Sequence, residues 1–328
     1  MEVVMHVSKL LAAPTIALLL NTQGLGATVT ARFQTMDAVK NATEEGSPKA
    51  AKTIRENGYT VLNDISYLGN KRKEKMDLYM PDGKGPFPAV LIIHGGGWIA
   101  GDKRGGREKQ TGAILARAGF TCASINYFLK CKVASQKWLP GWPQNVYDCK
   151  LALRFLNKYA DEYKISKGNI GVIGGSAGGH LAMLIGLTSG NKKLEPEAPY
   201  KGYSTAVKAI VDLYGIPDIS KPIAGSNGNP CGRNWTHHRL ANNPELFKLL
   251  SPITHVTQSS PPIFILHGSG DKVVPLAYSE DLLALLKEKG ARYQYKRIDN
   301  APHSFPINSS QWGDYSKEVI DFFKKYLK

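Results

Sequence analysis

Five short, uninterrupted apolar runs set the strongest limit on the fold of this chain: Ala89 to Ile93, Thr121 to Ile125, Ile170 to Ile173, Ala209 to Leu213 and Ile263 to Leu266. None alternates between apolar and polar positions, so neither face of such a strand meets water, as in a parallel sheet covered on both sides. Helical spacing separates the runs. Val146, Leu151, Leu153, Phe155 and Leu156 mark a helix from about Pro143 to Tyr159; Leu181, Met183, Leu184 and Leu187 mark another from Ala177. A third begins at Pro275 and a last one covers Asp314 to Leu327. This alternation predicts an α/β fold with a doubly wound, mostly parallel sheet. Upstream, Tyr59 to Tyr67 and the strictly alternating Lys75 to Met80, followed by turn residues from Pro81 to Pro86, read as antiparallel N-terminal strands. Residues 57–328 therefore form one domain, and with 42% hydrophobic residues it has material for a large core.

Residues 1–27 read as a signal peptide. Lys9 precedes the apolar run Leu10 to Leu20, and Leu25-Gly26-Ala27 supplies small residues for cleavage. The run is too short to cross a bilayer and no other segment comes nearer, so the sequence predicts a secreted or periplasmic protein without a membrane span. Residues 28–56 carry no core signal and are expected to form an N-terminal arm. The formal charge is +15, with basic clusters at Lys71 to Lys75 and Lys103 to Lys109. Both are short and contain glutamate, which favours a solvated surface over a nucleic-acid partner. Of the four cysteines, Cys122 and Cys149 fall in a strand and a helix as small core residues; Cys131 and Cys231 lie in loop-like text and are the candidate disulfide of an oxidising compartment.

In an open α/β sheet, chemistry collects beyond the carboxyl ends of the strands. Four strand ends here carry His94-Gly-Gly-Gly-Trp98, Gly174-Gly-Ser-Ala-Gly-Gly179, His267-Gly-Ser-Gly-Asp271 and Asn300-Ala-Pro-His303. Acyl transfer needs a hydroxyl nucleophile, a base to take its proton, and an acceptor to orient the base. Gly174-x-Ser176-x-Gly178 fits G-x-S-x-G at a strand-to-helix turn. Asp271 sits just past a strand, and after it His303 is the one remaining histidine. The catalytic candidates are thus Ser176, Asp271 and His303, with Asp212 and Asp218 as reserve acids. A tetrahedral oxyanion requires preorganised donors, and the N–H groups of Gly96, Gly97 and Ala177 can supply them. A phosphate loop is the competing reading of His94 to Gly97, but no Walker lysine follows. His180 and His255 read as structural.

With these loops in register, the sequence resembles an α/β-hydrolase of the hormone-sensitive-lipase and carbohydrate-esterase type over about residues 57 to 328. The resemblance implies a Ser176, Asp271 and His303 triad with neither metal nor organic cofactor. Two positions depart from the pattern. Ser269 replaces the first aspartate of His-Gly-Asp-x-Asp, and Pro302 and Ser304 stand where glycines are common, so the base loop is expected to be stiffer or shifted. Between Ser220 and Leu250 lies a polar, turn-rich insertion that suits a sugar ester better than a fat. Trp98, Tyr127, Trp142 and Trp235 are the candidate substrate contacts. Similarity to exported acetyl-xylan and feruloyl esterases points to short acyl esters of plant polysaccharide. A feruloyl esterase or a general short-chain carboxylesterase is the alternative. A peptidase or acyltransferase would use the same triad, whereas a non-catalytic binding module of the same fold would normally have lost the serine, the base or the glycines. The partner expected is a small-molecule or polysaccharide ester; the oligomeric state is left open.

Overall fold

The computed structural model describes residues 50–132 and 138–328; the signal peptide read in residues 1–27 and most of the expected arm lie outside them. Nine strands form one sheet: β1 Lys52–Glu56, β2 Tyr59–Ile65, β3 Met76–Pro81, β4 Phe87–Ile93, β5 Thr121–Ile125, β6 Ile165–Gly175, β7 Ala209–Leu213, β8 Ile263–Gly268 and β9 Tyr293–Ile298. Their spatial order is β1-β2-β3-β5-β4-β6-β7-β8-β9. The pairs from β1 to β5 through β3 are antiparallel. Every pair from β5 onward is parallel. All five apolar runs lie in these parallel strands.

Alternate residues of the inner strands feed two cores. On β4, Ala89, Leu91 and Ile93 join one, and Val90 and Ile92 the other. Helices α2 Gln144–Lys158, α3 Ala177–Leu187 and α4 Leu276–Glu288 cover the first; α1 Gly106–Arg117 and α5 Ser316–Tyr326 cover the second. Leu181, Met183, Leu184 and Ile185 of α3 are fully buried. Each such side chain contributes roughly 1.5 to 3 kcal/mol, which fixes α3, and the turn leading into it, against the sheet.

Three expectations are corrected. The sheet begins within the expected arm and not at residue 57: Lys52 to Glu56 add an edge strand paired with β2 from Lys52 with Asn63 to Glu56 with Tyr59. The Lys103 to Lys109 cluster is a solvated surface only in part, since Arg104 and Lys109 are exposed but Lys103 is not. Lys103 is buried, its Nζ 2.8 Å from Asp64 and 3.2 Å from Asp77, and Arg104 joins the same two carboxylates at 2.7 Å. The rest of the cluster opens α1, a helix absent from the sequence reading. Finally, all four cysteines are free. Cys231 is buried with its Sγ directed at Ile219 O, at 3.6 Å, so it takes no part in a Cys131 to Cys231 bridge.

Candidate active site

β6 ends at Gly175 and α3 begins at Ala177, which leaves Ser176 to reverse the chain. It does so at φ 58° and ψ −124°, a conformation that costs a non-glycine residue about 1 to 3 kcal/mol and persists only when its surroundings enforce it. Two bonds do so: Ser176 N–H donates to Leu213 O at 2.9 Å, and its carbonyl accepts from His180 N–H at 2.9 Å. The neighbouring glycines explain themselves by contact. A Cβ on Gly174 would lie 2.3 Å from Gly178 O, and one on Gly178 would lie 2.2 Å from Ile93 O. Strand, turn and helix can meet this closely only without those side chains.

The hydroxyl of Ser176 lies 2.9 Å from His303 Nε2, and His303 Nδ1 lies 2.7 Å from Asp271 Oδ2. Asp271 follows β8, and its side chain is fully buried. Its Oδ1 accepts the N–H groups of Val273 and Val274 at 2.8 and 2.9 Å. His267 Nε2 faces two acceptors, Val274 O at 3.1 Å and Asp271 Oδ2 at 3.2 Å, so it carries the proton, and its Nδ1 accepts from the Ser279 hydroxyl at 2.7 Å. Burial pushes the Asp271 carboxyl up, but hydrogen bonds from His267, His303 and Val273 together outweigh it and hold it well below the usual carboxylate range. An ionised Asp271 keeps the His303 proton on Nδ1 and leaves Nε2 free to accept from Ser176. The base loop departs from glycine in sequence and not in shape: Ser304 itself takes φ 71°.

The loop after β4 lies against this turn. A Cβ on Gly95 would come 2.8 Å from Gly175 O and 3.3 Å from Ser176 Cβ. Gly96 and Gly97 adopt φ 106° and 61°. Ala177 is the first residue of α3, so its N–H has no acceptor within the helix. Tyr127 braces the loop: its ring stacks on His94 at 4.2 Å, and its hydroxyl donates to His94 O at 2.9 Å.

Three of the four expected substrate contacts are interior. Trp98 is 2% exposed, Tyr127 1% and Trp235 0%. Trp98, at φ 62°, turns inward to stack on Trp235 with ring centres 5.3 Å apart, and its Nε1–H donates to His180 Nδ1 at 3.3 Å. These residues form a wall under the loop, while Trp142, edge-on to Trp235 at 6.2 Å, is partly exposed. His180 and His255 are structural in the sense expected, each with Nε2 on a backbone carbonyl, Leu250 O and Leu249 O. The sequence reading missed His267 and Tyr214, whose ring packs against His303 at 4.9 Å. His267 stood in the quoted acid loop and could have been found there; nothing local marks Tyr214.

The reserve acids do not reach His303. Asp218 accepts from Ser220 and Ser251. Asp212 accepts Gly215 N–H through Oδ1 at 3.0 Å, while its Oδ2 is buried without a hydrogen-bond partner. Burial pushes the Asp212 carboxyl up to about 7, against the opposing pull of His267 and the Gly215 N–H. An unfolded aspartate titrates near about 3.9, so between about pH 4 and 7 the native state holds the extra proton and Asp212 makes stability fall as pH rises. The stability of Asp212→Asn relative to the wild type is expected to rise across that window, read as urea midpoints from pH 4 to 8. Parallel curves would remove the assignment.

Comparison with known proteins matches the BD-FAE family model to residues 76–286. Esterase LipQ of Mycobacterium tuberculosis (strain ATCC 25618 / H37Rv) is 30% identical over 273 residues, covering 80% of this chain and 61% of the relative. Esterase LipC of the same organism is 29% identical, covering 82% and 66%. The chain thus spans about three fifths to two thirds of these curated relatives. Among solved structures, a truncated form of a carbohydrate esterase from gut microbiota superposes with a TM-score of 0.73 at 27% identity, covering 84% of this chain and 99% of that one.

Proposed function

The chain belongs to the BD-FAE family and has the α/β-hydrolase fold, and we propose from that premise that it hydrolyses short-chain carboxylic esters through an acyl-enzyme on Ser176. The single observation that carries this reading is the hydrogen-bonded series Ser176 Oγ, His303, Asp271, with its 2.9 and 2.7 Å links. Ser176 Oγ attacks the ester carbonyl as His303 Nε2 takes its proton. The oxygen that becomes negative is met by the N–H groups of Gly96, Gly97 and Ala177. The C–O bond then breaks and the alcohol leaves with the proton from His303. Water, deprotonated by the same nitrogen, repeats the attack on the acyl-enzyme and releases the acid. Asp271 stays ionised throughout and stabilises the imidazolium.

The substrate is an acetyl or similarly short ester on plant polysaccharide. The polar insertion after Ser220 and the likeness to a carbohydrate esterase support that class. The Leu10 to Leu20 run supports action outside the cytoplasm. The test is a panel: p-nitrophenyl acetate, butyrate and octanoate, then acetylated xylan and methyl ferulate. Acetate and butyrate are expected to turn over fastest, with acetate released from xylan. Faster turnover of methyl ferulate than of acetylated xylan would replace the acetyl reading with a feruloyl one. No hydrolysis of any member would leave the fold serving as a binding module.

A further inference from the structure

We propose that Arg107 is a positioning residue that ties the base loop to the nucleophile turn and the oxyanion loop; the inference rests on the ester-hydrolase reading above. Arg107 lies in the first turn of α1, and its side chain is only 16% exposed. Its Nη1 donates to the Tyr214 hydroxyl at 2.6 Å, and that hydroxyl donates in turn to Phe305 O at 3.0 Å. The Tyr214 ring meets the His303 ring edge-on at 4.9 Å and the Phe305 ring at 4.8 Å. The base loop is therefore held from within by one tyrosine, whose hydroxyl is held by one guanidinium.

The same guanidinium also packs against the remaining two loops. A Cβ on Gly175, the residue before Ser176, would come 2.8 Å from Arg107 Nη1. One on Gly95, at the start of the oxyanion loop, would come 3.4 Å from Nη2. Glu108 takes Nε at 3.0 Å, which balances the buried charge and fixes the plane of the group. A planar, permanently charged fork can donate to Tyr214 and Glu108 at fixed angles while packing against Gly175 and Gly95, which a flexible ammonium does less well. Tyr214 itself adopts φ 43°, so its ring is delivered to His303 by a backbone turn that the hydroxyl bonds help to hold. Neither Arg107 nor the Tyr214 hydroxyl is hydrogen-bonded to Ser176 Oγ or to His303. Arg107 acts through Tyr214 on where His303 sits relative to Ser176.

The experiment compares Arg107→Met, Arg107→Lys, Tyr214→Phe and the Met/Phe double variant on p-nitrophenyl acetate. Active sites are counted by stoichiometric p-nitrophenol release from diethyl p-nitrophenyl phosphate. Misplacement of a catalytic group by about 1 Å costs on the order of 100-fold, so Arg107→Met is expected to lower kcat per titrated site by about 10- to 100-fold with KM within about twofold. Arg107→Lys should recover part of that loss. Tyr214→Phe keeps the ring against His303 and loses both hydroxyl bonds, so it should fall in kcat as well. The double variant should be no worse than the poorer single one, because the two residues act through one link. Unchanged kcat per titrated site in Tyr214→Phe, or losses that simply multiply in the double variant, would overturn the proposal even if Arg107→Met fails to fold. Failure of the wild type to titrate would instead defeat the ester-hydrolase reading, so the two failures are separable.

Discussion

Ser176→Ala is expected to lower kcat for p-nitrophenyl acetate by at least about 10⁴-fold and to leave KM within about twofold. The alanine removes the one oxygen that His303 Nε2 faces at 2.9 Å, and no other hydroxyl is hydrogen-bonded to that nitrogen among the described residues. Binding survives because the loops that receive the ester are held by other contacts: Leu213 O on the turn, His94 O on Tyr127. Stability should change by no more than about 1 kcal/mol, since a single hydrogen bond to a partly exposed imidazole is lost. His303→Ala is expected to match it, and the double variant to be no slower than either, because the pair works as a unit. Initial rates and substrate titration on the three variants decide this. A variant retaining more than about one hundredth of wild-type kcat would mean that hydrolysis arises at another nucleophile.

Asp271→Asn is the more informative change, because it alters no volume. Oδ1 accepts two backbone N–H groups, so the amide nitrogen of an asparagine cannot occupy that side without facing two donors. It must take the Oδ2 side, toward His303 Nδ1 and His267 Nε2. His267 needs no change, because its Nε2–H still has Val274 O as an acceptor. His303 can answer only by moving its proton to Nε2, where it points at Ser176 and can no longer accept. The expected result is a fall in kcat of about 10⁴-fold with the fold intact. Imidazole ¹⁵N shifts should report the tautomer change at His303 with His267 unchanged. A loss of about tenfold or less would show that the His303 tautomer is not set by Asp271.

What could be read in advance followed from local chemistry. Continuous apolar runs admit few arrangements, and the serine among glycines, the acid past a strand and the last histidine each carried a signal at its own position. The burial of Lys103 and Arg107 did not: a charged residue enters a protein interior only with partners, here Asp64, Asp77, Glu108 and Tyr214, and those stand up to 107 positions away. The same holds for Trp98 and Trp235. Lacking period, they read as loop aromatics, yet one positive φ turns Trp98 onto its partner. The edge strand β1 failed for the opposite reason: four of its five residues are exposed, so no hydrophobic pattern announces it.

Ser176 lies on the central strand-to-helix turn, while its base lies 127 positions later, beyond the last strand of the sheet. Contacts of such separation form late, after the intervening strands have found their places. During synthesis, the nucleophile and its oxyanion loop emerge well before any base exists to use them. On the proposed mechanism a nascent chain is therefore inert toward esters until residue 303 has been made and β9 has docked, and only the assembled sheet acts on a substrate.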